Sequence, residues 1–236
     1  MKINQILLSL FCSFFLLNSM FGQDMKQGYI KMEITEVEVE NKEMQMMVDM
    51  MKGTETEYYF TDEKSLIKAN MMGGMMTMNT VIDNSDESMT LFFDAMGNKM
   101  QVESTKEDRD ASSDEGNPFE SAEIKYIEDD TKEILGHKCV KTVISSDDMD
   151  GMEMVMYVAR DIKASPKMIQ GLDGLELEGF PLEYIMNAQG MKMTYTTIEM
   201  EDKVDKEVFN VSSNGYKKMS WDEFQETMGG MGGFGG

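Results

Sequence analysis

The sequence is poor in the side chains on which most catalytic and metal sites depend. Its 236 residues include two cysteines, one histidine, three prolines and one tryptophan. It contains no Gly-x-Ser-x-Gly elbow, phosphate-binding loop, dinucleotide fingerprint or Cys-x-x-Cys pair. A Ser–His mechanism would have to use His137, and a closed zinc site would need two ligands beyond His137 and Cys139. We therefore expect a protein that is not an enzyme and that uses no cofactor.

Long hydrophobic runs are also scarce, and the one that is present stands at the N terminus. The run ILLSLFCSFFLL follows Lys2 and is followed shortly by Gly22, a pattern typical of a secretory signal peptide cleaved after residue 22. The run is short for a membrane span, although an N-terminal anchor is the alternative. The mature chain would hold no integral membrane segment, so we expect a soluble, periplasmic or extracellular protein.

Basic residues are few, and the charge is strongly negative. Lys and Arg number 22 against 44 Asp and Glu, which gives a net charge of −22. Such a surface repels nucleic acid and anionic membranes, so nucleic acid is excluded as a partner. Because Cys12 lies in the predicted signal peptide, Cys139 has no partner for an internal disulfide, and stability must come from an apolar core.

The dominant pattern in the rest of the chain is that of β-strands. Short segments rich in Val, Ile, Thr, Tyr and Met recur about every ten residues, and turn residues separate them. Gly97-Asn98, Asp150-Gly151 and Gln189-Gly190 predict tight hairpins between antiparallel strands. We therefore predict a mainly β fold with a single curved antiparallel sheet. The predicted strands are 29–39, 55–61, 65–70, 76–83, 89–95, 99–104, 123–128, 138–145, 152–160, 182–187, 192–199 and 207–211.

Three segments interrupt this pattern. Residues 106–122 are polar and acidic, which predicts a flexible loop. Residues 165–179 contain Pro166 and several glycines, with one helical turn expected near 167–170. The capping-box sequence Ser-Trp-Asp-Glu at 220–223 predicts a short C-terminal helix. The expected organisation is a signal peptide at 1–22, an antiparallel β domain at 23–216, and a short helix with a Gly- and Met-rich tail at 217–236.

Methionine is the one abundant side chain with a distinctive chemistry. The chain has 29, of which ten lie between Met44 and Met78, including the stretch NMMGGMMTM at 70–78. Methionine is a flexible apolar side chain that suits adaptable hydrophobic surfaces, so we predict an apolar concavity for a lipid or another hydrophobic small molecule. The predicted ligand-binding residues are Met71, Met72, Met75, Met76, Met78, Met152, Met154, Met156, Met191 and Met193.

The alternative is a soft-metal site. Two methionines two residues apart on a strand point to the same face, and thioethers select Cu(I) or Ag(I). The segments 44–46, 76–78, 152–156 and 191–193 have this spacing. On this alternative the metal ligands are Met76, Met78, Met152, Met154 and Met156; on the first hypothesis no metal is bound.

Residues 130 to 216 contain a series of short motifs in a recognisable order. They are EILGHKCVK at 133–141, MYVARDI at 156–162, GFPLE at 179–183, GMKM at 190–193, VFNV at 208–211 and Gly215-Tyr216. This order resembles that of secreted Bacteroidota proteins with domain of unknown function 4412, which are similar to the half-open barrel carriers of the LolA/LolB type. The resemblance implies a curved sheet around an apolar cavity and assigns no catalytic or binding residue.

Overall fold

A computed structural model describes residues 24–39, 48–49, 51–112, 122–146, 153–169, 172, 175–188 and 191–230. Its strands form one sheet in the order β12-β6-β5-β4-β3-β2-β1-β11-β10-β9-β8-β7. The strands are β1 (Gly28–Val39), β2 (Glu55–Phe60), β3 (Lys64–Met71), β4 (Met76–Asp83), β5 (Met89–Ala95), β6 (Asn98–Ser104), β7 (Glu123–Ile134), β8 (His137–Ser145), β9 (Glu153–Ala159), β10 (Phe180–Ala188), β11 (Met191–Glu201) and β12 (Lys217–Met219).

The predicted fold class is confirmed: the chain is mainly β, with one curved, open antiparallel sheet and a short C-terminal helix. Strands β1–β6 and β7–β11 form two meanders that β1 joins by pairing with both β2 and β11. Only β12 runs parallel to its neighbour, β6. Within the described residues, β7 and β12 each pair on one side, so the sheet does not close into a barrel.

One face of this sheet, the inner face, carries the core. Residues opposite each other in the register share a face, because side chains alternate along a strand. One row of such residues crosses β1 to β6, and it connects two separate clusters of buried side chains. Both clusters therefore lie on the inner face. The row consists of Ile30, Tyr58, Ile67, Thr80, Leu91 and Val102.

The first cluster is covered by a chain segment without regular strands. This cover segment is residues 162–177, of which 162–169, 172 and 175–177 are described. Its apolar side chains are buried against β1, β2 and β8–β10, and a 3₁₀ helix at Pro166–Met168 lies within it. The N-terminal end of the described chain holds it in place, since Met25 accepts a backbone bond from Lys163 and donates one to Asp161. Its buried members are Ile162, Ala164, Met168, Ile169, Leu172 and Leu175.

The C-terminal segment packs against the second cluster and contacts both faces of strand β5. Successive residues Phe92 and Phe93 point to opposite faces of the sheet. The Tyr216 ring packs on Phe92 with centroids 5.3 Å apart. The Phe224 ring packs on Phe93 with centroids 6.2 Å apart. The chain therefore crosses the outer face, adds β12 beside β6, and returns to the inner face.

Two sequence-based expectations are wrong in the described residues. Lys106–Ser112, expected to begin a flexible loop, forms helix α1, because the Thr105 hydroxyl accepts from Asp108 N and Asp108 accepts from Thr105 N. The expected strand at 207–211 is replaced by a 3₁₀ helix at Lys206–Phe209, whose N terminus Asp205 caps.

Other expectations differ in extent or lie outside the described residues. Strand β7 continues to Ile134, six residues beyond its predicted end, through an irregular register between Ile127 and Thr131. The short strand β12 was not predicted. The signal peptide, the segment 44–46, residues 113–121, Met152, the turns at 150–151 and 189–190 and the tail from 231 lie outside the described residues.

Candidate functional site

The second cluster forms an apolar floor on the inner face of β4, β5 and β6. Its buried members are Leu91, Phe93 and Ala95 of β5 with Met100 and Val102 of β6. The half-buried side chains of Met76, Met78, Met89 and Met219 surround them. These buried and half-buried members give the floor an apolar and thioether surface.

Helix α2 (Trp221–Gly230) lies over this floor. The predicted capping box is present: Ser220 Oγ accepts from Glu223 N at 3.2 Å, and the Glu223 carboxylate accepts from Ser220 N at 2.9 Å. Trp221, Phe224 and Met228 follow helical spacing and face the floor. All three are half-buried, so helix α2 covers the floor while its apolar face stays partly accessible to solvent. We call the floor together with these three residues the α2 groove.

A group of methionines marks the end of the sheet beside the α2 groove. The β3–β4 connection contains a 3₁₀ helix, Met72–Gly74, and the β5–β6 connection is a tight turn at Met96-Gly97. The two tips are adjacent, since Met96 N donates to Met75 O at 2.9 Å. The Met75 side chain is 52% exposed and that of Met96 is 80% exposed. We call this group the methionine rim; it consists of Met71, Met72, Met75, Met76 and Met96.

The backbone at the rim is unusual for methionine. Met72 and Met96 have φ angles of 53° and 52°, in the left-handed region where Gly, Asn and Asp are favoured. The following glycines, Gly73 and Gly97, share that conformation, as hairpin turns with positive φ require. An open cleft of about 430 Å³ adjoins the β3–β4 tip, lined in part by Met72 and Met75.

The rim leads directly into the groove along the register of β4 and β5. Met76 lies opposite Ala95, and Met78 lies opposite Phe93, so all four side chains share the inner face. Met76 and Met78 contact the second cluster, and Phe93 contacts Phe224. An apolar strip therefore runs from the exposed hairpin tips to the underside of helix α2.

The other methionines predicted to bind a ligand lie elsewhere. Met154 and Met156 are buried in the first cluster, under the cover segment. Met193 is buried on β11, and Met191 is half-buried on the same strand. The predicted ligand-binding methionines thus fall into two groups. Those of the rim and groove lie next to one another, whereas those on β9 and β11 lie apart from them.

The copper alternative gains no support from this arrangement. Its described ligands fall into two separate clusters, with Met76 and Met78 in the second and Met154 and Met156 in the first. The described residues also contain no group of three or more His, Cys, Asp and Glu side chains that could hold a metal ion.

The ionisable groups near the first cluster have structural partners. His137 Nδ1 donates a 2.8 Å hydrogen bond to Asp161 Oδ2 at the edge of the cluster. Burial, with a contribution from Asp161, raises the pKa of the Cys139 thiol to about 12, so that this thiol is protonated and unreactive near neutral pH. Burial likewise raises the pKa of Tyr58 and of Tyr184 above the ordinary range.

The sequence pattern alone does not identify several residues as part of the groove. Trp221, Phe224 and Met228 were recognised as a helix but not as its contact face, although their spacing was visible. Phe93 and Met100 were placed on strands, and only the register identifies their common face. Met96 precedes the predicted turn at Gly97, so a search for exposed turn residues would have found it.

Comparisons with known proteins add little to this geometry. No protein-family model matches the chain, so the resemblance to domain of unknown function 4412 is not confirmed. No curated protein matches either. No helix among the described residues is both long and apolar enough to cross a membrane.

Among solved structures, the chain is similar to a LolA superfamily protein from Nitrosomonas europaea. The identity is 8% and the TM-score 0.36, over 82% of this chain and 92% of that one. It is also similar to MucB in the Pseudomonas aeruginosa MucA/MucB complex, with 8% identity and a TM-score of 0.33. That match covers 80% of this chain and spans 57% of the other. These values are too low to establish a common fold, so the function has to be argued from this chain's own residues.

Proposed function

We propose that the protein is a non-enzymatic binding module that holds a hydrophobic small molecule or lipid chain in the α2 groove. The observation that carries this proposal is the incomplete seal of helix α2. Its three apolar residues, Trp221, Phe224 and Met228, are only half-buried above a floor of buried apolar side chains. A ligand that slides between helix and floor would bury both surfaces, and such burial is the main source of affinity for apolar ligands.

The composition of the floor supports a ligand of variable shape. Methionine has three rotatable bonds and no branch, so it adapts to irregular apolar surfaces. Met78 and Met100 lie opposite Phe93 in the register, and Met76, Met219 and Met228 belong to the same cluster. These apolar side chains favour an apolar chain or ring as the inserted part of the ligand.

The helix is also suited to move. An isolated helix of fewer than about 12 residues is marginal in water, and helix α2 has 10 residues. Its stability therefore depends on its contacts with the sheet, and a ligand between helix and sheet could supply equivalent apolar contacts. Its N terminus remains attached through β12, so the helix can lift without leaving the molecule.

Binding of the neutral fluorophore N-phenyl-naphthylamine tests the proposal. Trp221 is the only tryptophan in the chain, so energy transfer from tryptophan to the probe reports binding beside helix α2. We expect saturable binding with quenched Trp221 emission. No saturable binding, or binding without energy transfer, contradicts the proposal.

A pair of adjacent residues supplies the matched variants. Met78 and Thr77 are neighbours on β4 and point to the inner and outer faces respectively. Met78→Glu places a charge in the groove and should weaken probe binding at least about tenfold, because an unpaired charge resists burial. Thr77→Glu adds the same charge outside the groove and should bind the probe as the wild type does. Thermal unfolding of both variants shows whether each is folded, and Phe224→Ala provides a second groove variant that leaves the sheet intact.

A further inference from the structure

The methionines of this protein differ greatly in their access to solvent. Met96 is 80% exposed and Met75 is 52% exposed, and both stand at hairpin tips. By contrast, Met156 is fully buried, and Met32 and Met168 are nearly so. Oxidation of a thioether requires contact between sulfur and the oxidant, so the reactivity of these side chains should follow the same order.

Met75 and Met96, the two exposed methionines of the described residues, stand on adjacent hairpin tips at one end of strands β4 and β5. The backbone bond from Met96 N to Met75 O holds the two tips together. Met75 precedes Met76, which contacts the second cluster, and Met96 follows Ala95, which is buried in that cluster. A chemical change at either tip therefore occurs one residue away from the apolar floor.

We propose that Met75 and Met96 form an oxidation site at which a peroxide converts the rim from apolar to polar. The sulfur lone pair attacks one peroxide oxygen, an S–O bond forms and the O–O bond breaks. The sulfur loses two electrons, and the leaving hydroxide takes the proton from the new S–OH group. The products are methionine sulfoxide and water, and the peroxide is the oxidant that is reduced.

The proposed consequence rests on the proposed function. A sulfoxide is polar and a strong hydrogen-bond acceptor, so it prefers water to apolar surroundings. Two sulfoxides at the rim would hydrate the entrance of the groove and weaken the uptake of a hydrophobic ligand. The core methionines, including Met156, would remain reduced because the oxidant does not reach them. A thiol-dependent sulfoxide reductase would reverse the change by returning two electrons.

Oxidation mapping tests the site without reference to any ligand. The full chain is treated with hydrogen peroxide under native conditions, and peptide mass spectrometry follows the gain of oxygen at each methionine. Met75 and Met96 should oxidise at least about tenfold faster than Met32, Met156 and Met168, since oxidation follows exposure. In denaturant the rates should converge. Equal rates in the folded chain, or slower oxidation of the rim, would overturn the proposal.

Two double variants test the consequence. Met75→Leu with Met96→Leu keeps the rim apolar and removes the two exposed thioethers, whereas Met75→Gln with Met96→Gln imitates the polar sulfoxide. The affinity for N-phenyl-naphthylamine is measured before and after peroxide within each protein. We expect a several-fold loss on oxidation in the wild type and no loss in the leucine variant. The glutamine variant should resemble the oxidised wild type.

The outcomes separate this inference from the proposed function. Equal losses of probe affinity in the wild type and the leucine variant would overturn the inference, because another residue would then carry the effect. If the reduced wild type binds no probe, the proposed function fails and the consequence for binding fails with it. The oxidation map still decides whether Met75 and Met96 are the modification site.

Discussion

The two halves of the inner face are covered in different ways. The cover segment over the first cluster buries its apolar side chains almost completely, with Leu172 fully buried and Ile169 nearly so. Helix α2 over the second cluster leaves Trp221, Phe224 and Met228 half-buried. Both covers lie on the same sheet and contact similar apolar side chains, so the difference arises from the covers.

The attachment of each cover explains the difference. The cover segment is fixed at several points along its length: Met25 binds it at one end, and Tyr126 Oη accepts from Glu178 N just beyond its other end. Arg160 links the same region to β7 through Glu128 and also lies near Glu178. Within the described residues, helix α2 is held by the three-residue strand β12 before it and by the contacts of Trp221, Phe224 and Met228 with the second cluster. We therefore expect helix α2 to open more readily than the cover segment.

The largest expected effect is on the free energy of unfolding, when a phenylalanine is replaced by alanine in each half of the inner face. Phe180 is fully buried in the first cluster, where its ring packs edge-on against Tyr58 with centroids 5.8 Å apart. Phe180→Ala should lower the free energy of unfolding by about 3–5 kcal/mol, through lost burial and a cavity. Phe224→Ala removes a half-exposed ring and should cost about 1 kcal/mol. Urea unfolding monitored by far-ultraviolet circular dichroism measures both; equal losses would contradict the contrast.

A smaller effect concerns the exit of the chain from the cover segment. Gly179 has φ 135°, and an added Cβ would collide with the backbone carbonyl of Ala159. Gly179→Ala should therefore destabilise the fold by about 2 kcal/mol or more, since backbone cannot move aside easily.

Gly136 is the control for backbone strain alone. It also has a positive φ, 87°, but an added Cβ would meet nothing within 4 Å. Gly136→Ala should cost about 1 kcal/mol. If the two variants have the same unfolding midpoint, the close contact between residue 179 and the backbone of β9 does not contribute to the cost of Gly179→Ala.

Alkaline pH should lower the stability of the fold through ionisable groups in the first cluster. The folded state raises the pKa of Cys139 from 9.0 to about 12 and raises those of Tyr58 and Tyr184, mainly through burial. The unfolded chain releases these protons at lower pH than the folded chain. Stability is therefore fully present below about pH 9 and falls as the pH rises above it.

The contribution of the thiol can be isolated by Cys139→Ala. Between about pH 9 and pH 12, the slope of the unfolding free energy against pH should be less steep in the variant by up to about 1.4 kcal/mol per unit. Urea titrations at several pH values provide the slopes. Identical slopes would show that Cys139 is not protonated in the folded state above pH 9.

The smallest expected effect is confined to helix α2. Ser220→Ala removes the capping bond to Glu223 N and should destabilise the helix by about 1 kcal/mol. Hydrogen exchange should then accelerate in residues 221–230, with little change in the amides of the cover segment. Faster exchange in both regions would indicate that the two covers open together.

Strand positions could be predicted from the sequence wherever turn residues bounded an apolar pattern. The strands at Met76–Asp83 and Met89–Ala95 were predicted to the residue. The C-terminal helix was recognised from its capping box, but the similar box formed by Thr105 and Asp108 was overlooked within an acidic segment. The polar residues at 129–130 suggested the end of β7, yet an edge strand tolerates them, because one side faces water.

The division of the inner face could not be predicted. It depends on the pairing of β1 with β11, whose residues are more than 150 positions apart in the sequence, as in the bond between Thr35 and Thr194. The pattern at Met154 and Met156 resembles that at Met76 and Met78, because both place methionines on one face of a strand. Only the cover above each strand distinguishes a core methionine from one that lines an openable groove.

Native-state hydrogen exchange, measured with and without N-phenyl-naphthylamine, tests the central claim most directly. Amides of residues 221–230 should exchange through a local opening whose free energy lies well below that of global unfolding, and the bound probe should slow them. The hydrogen-bonded amides of Met168 and Ile169 should exchange only with global unfolding. Exchange of helix α2 at the global free energy, or protection by the probe at the cover segment instead, would contradict the account.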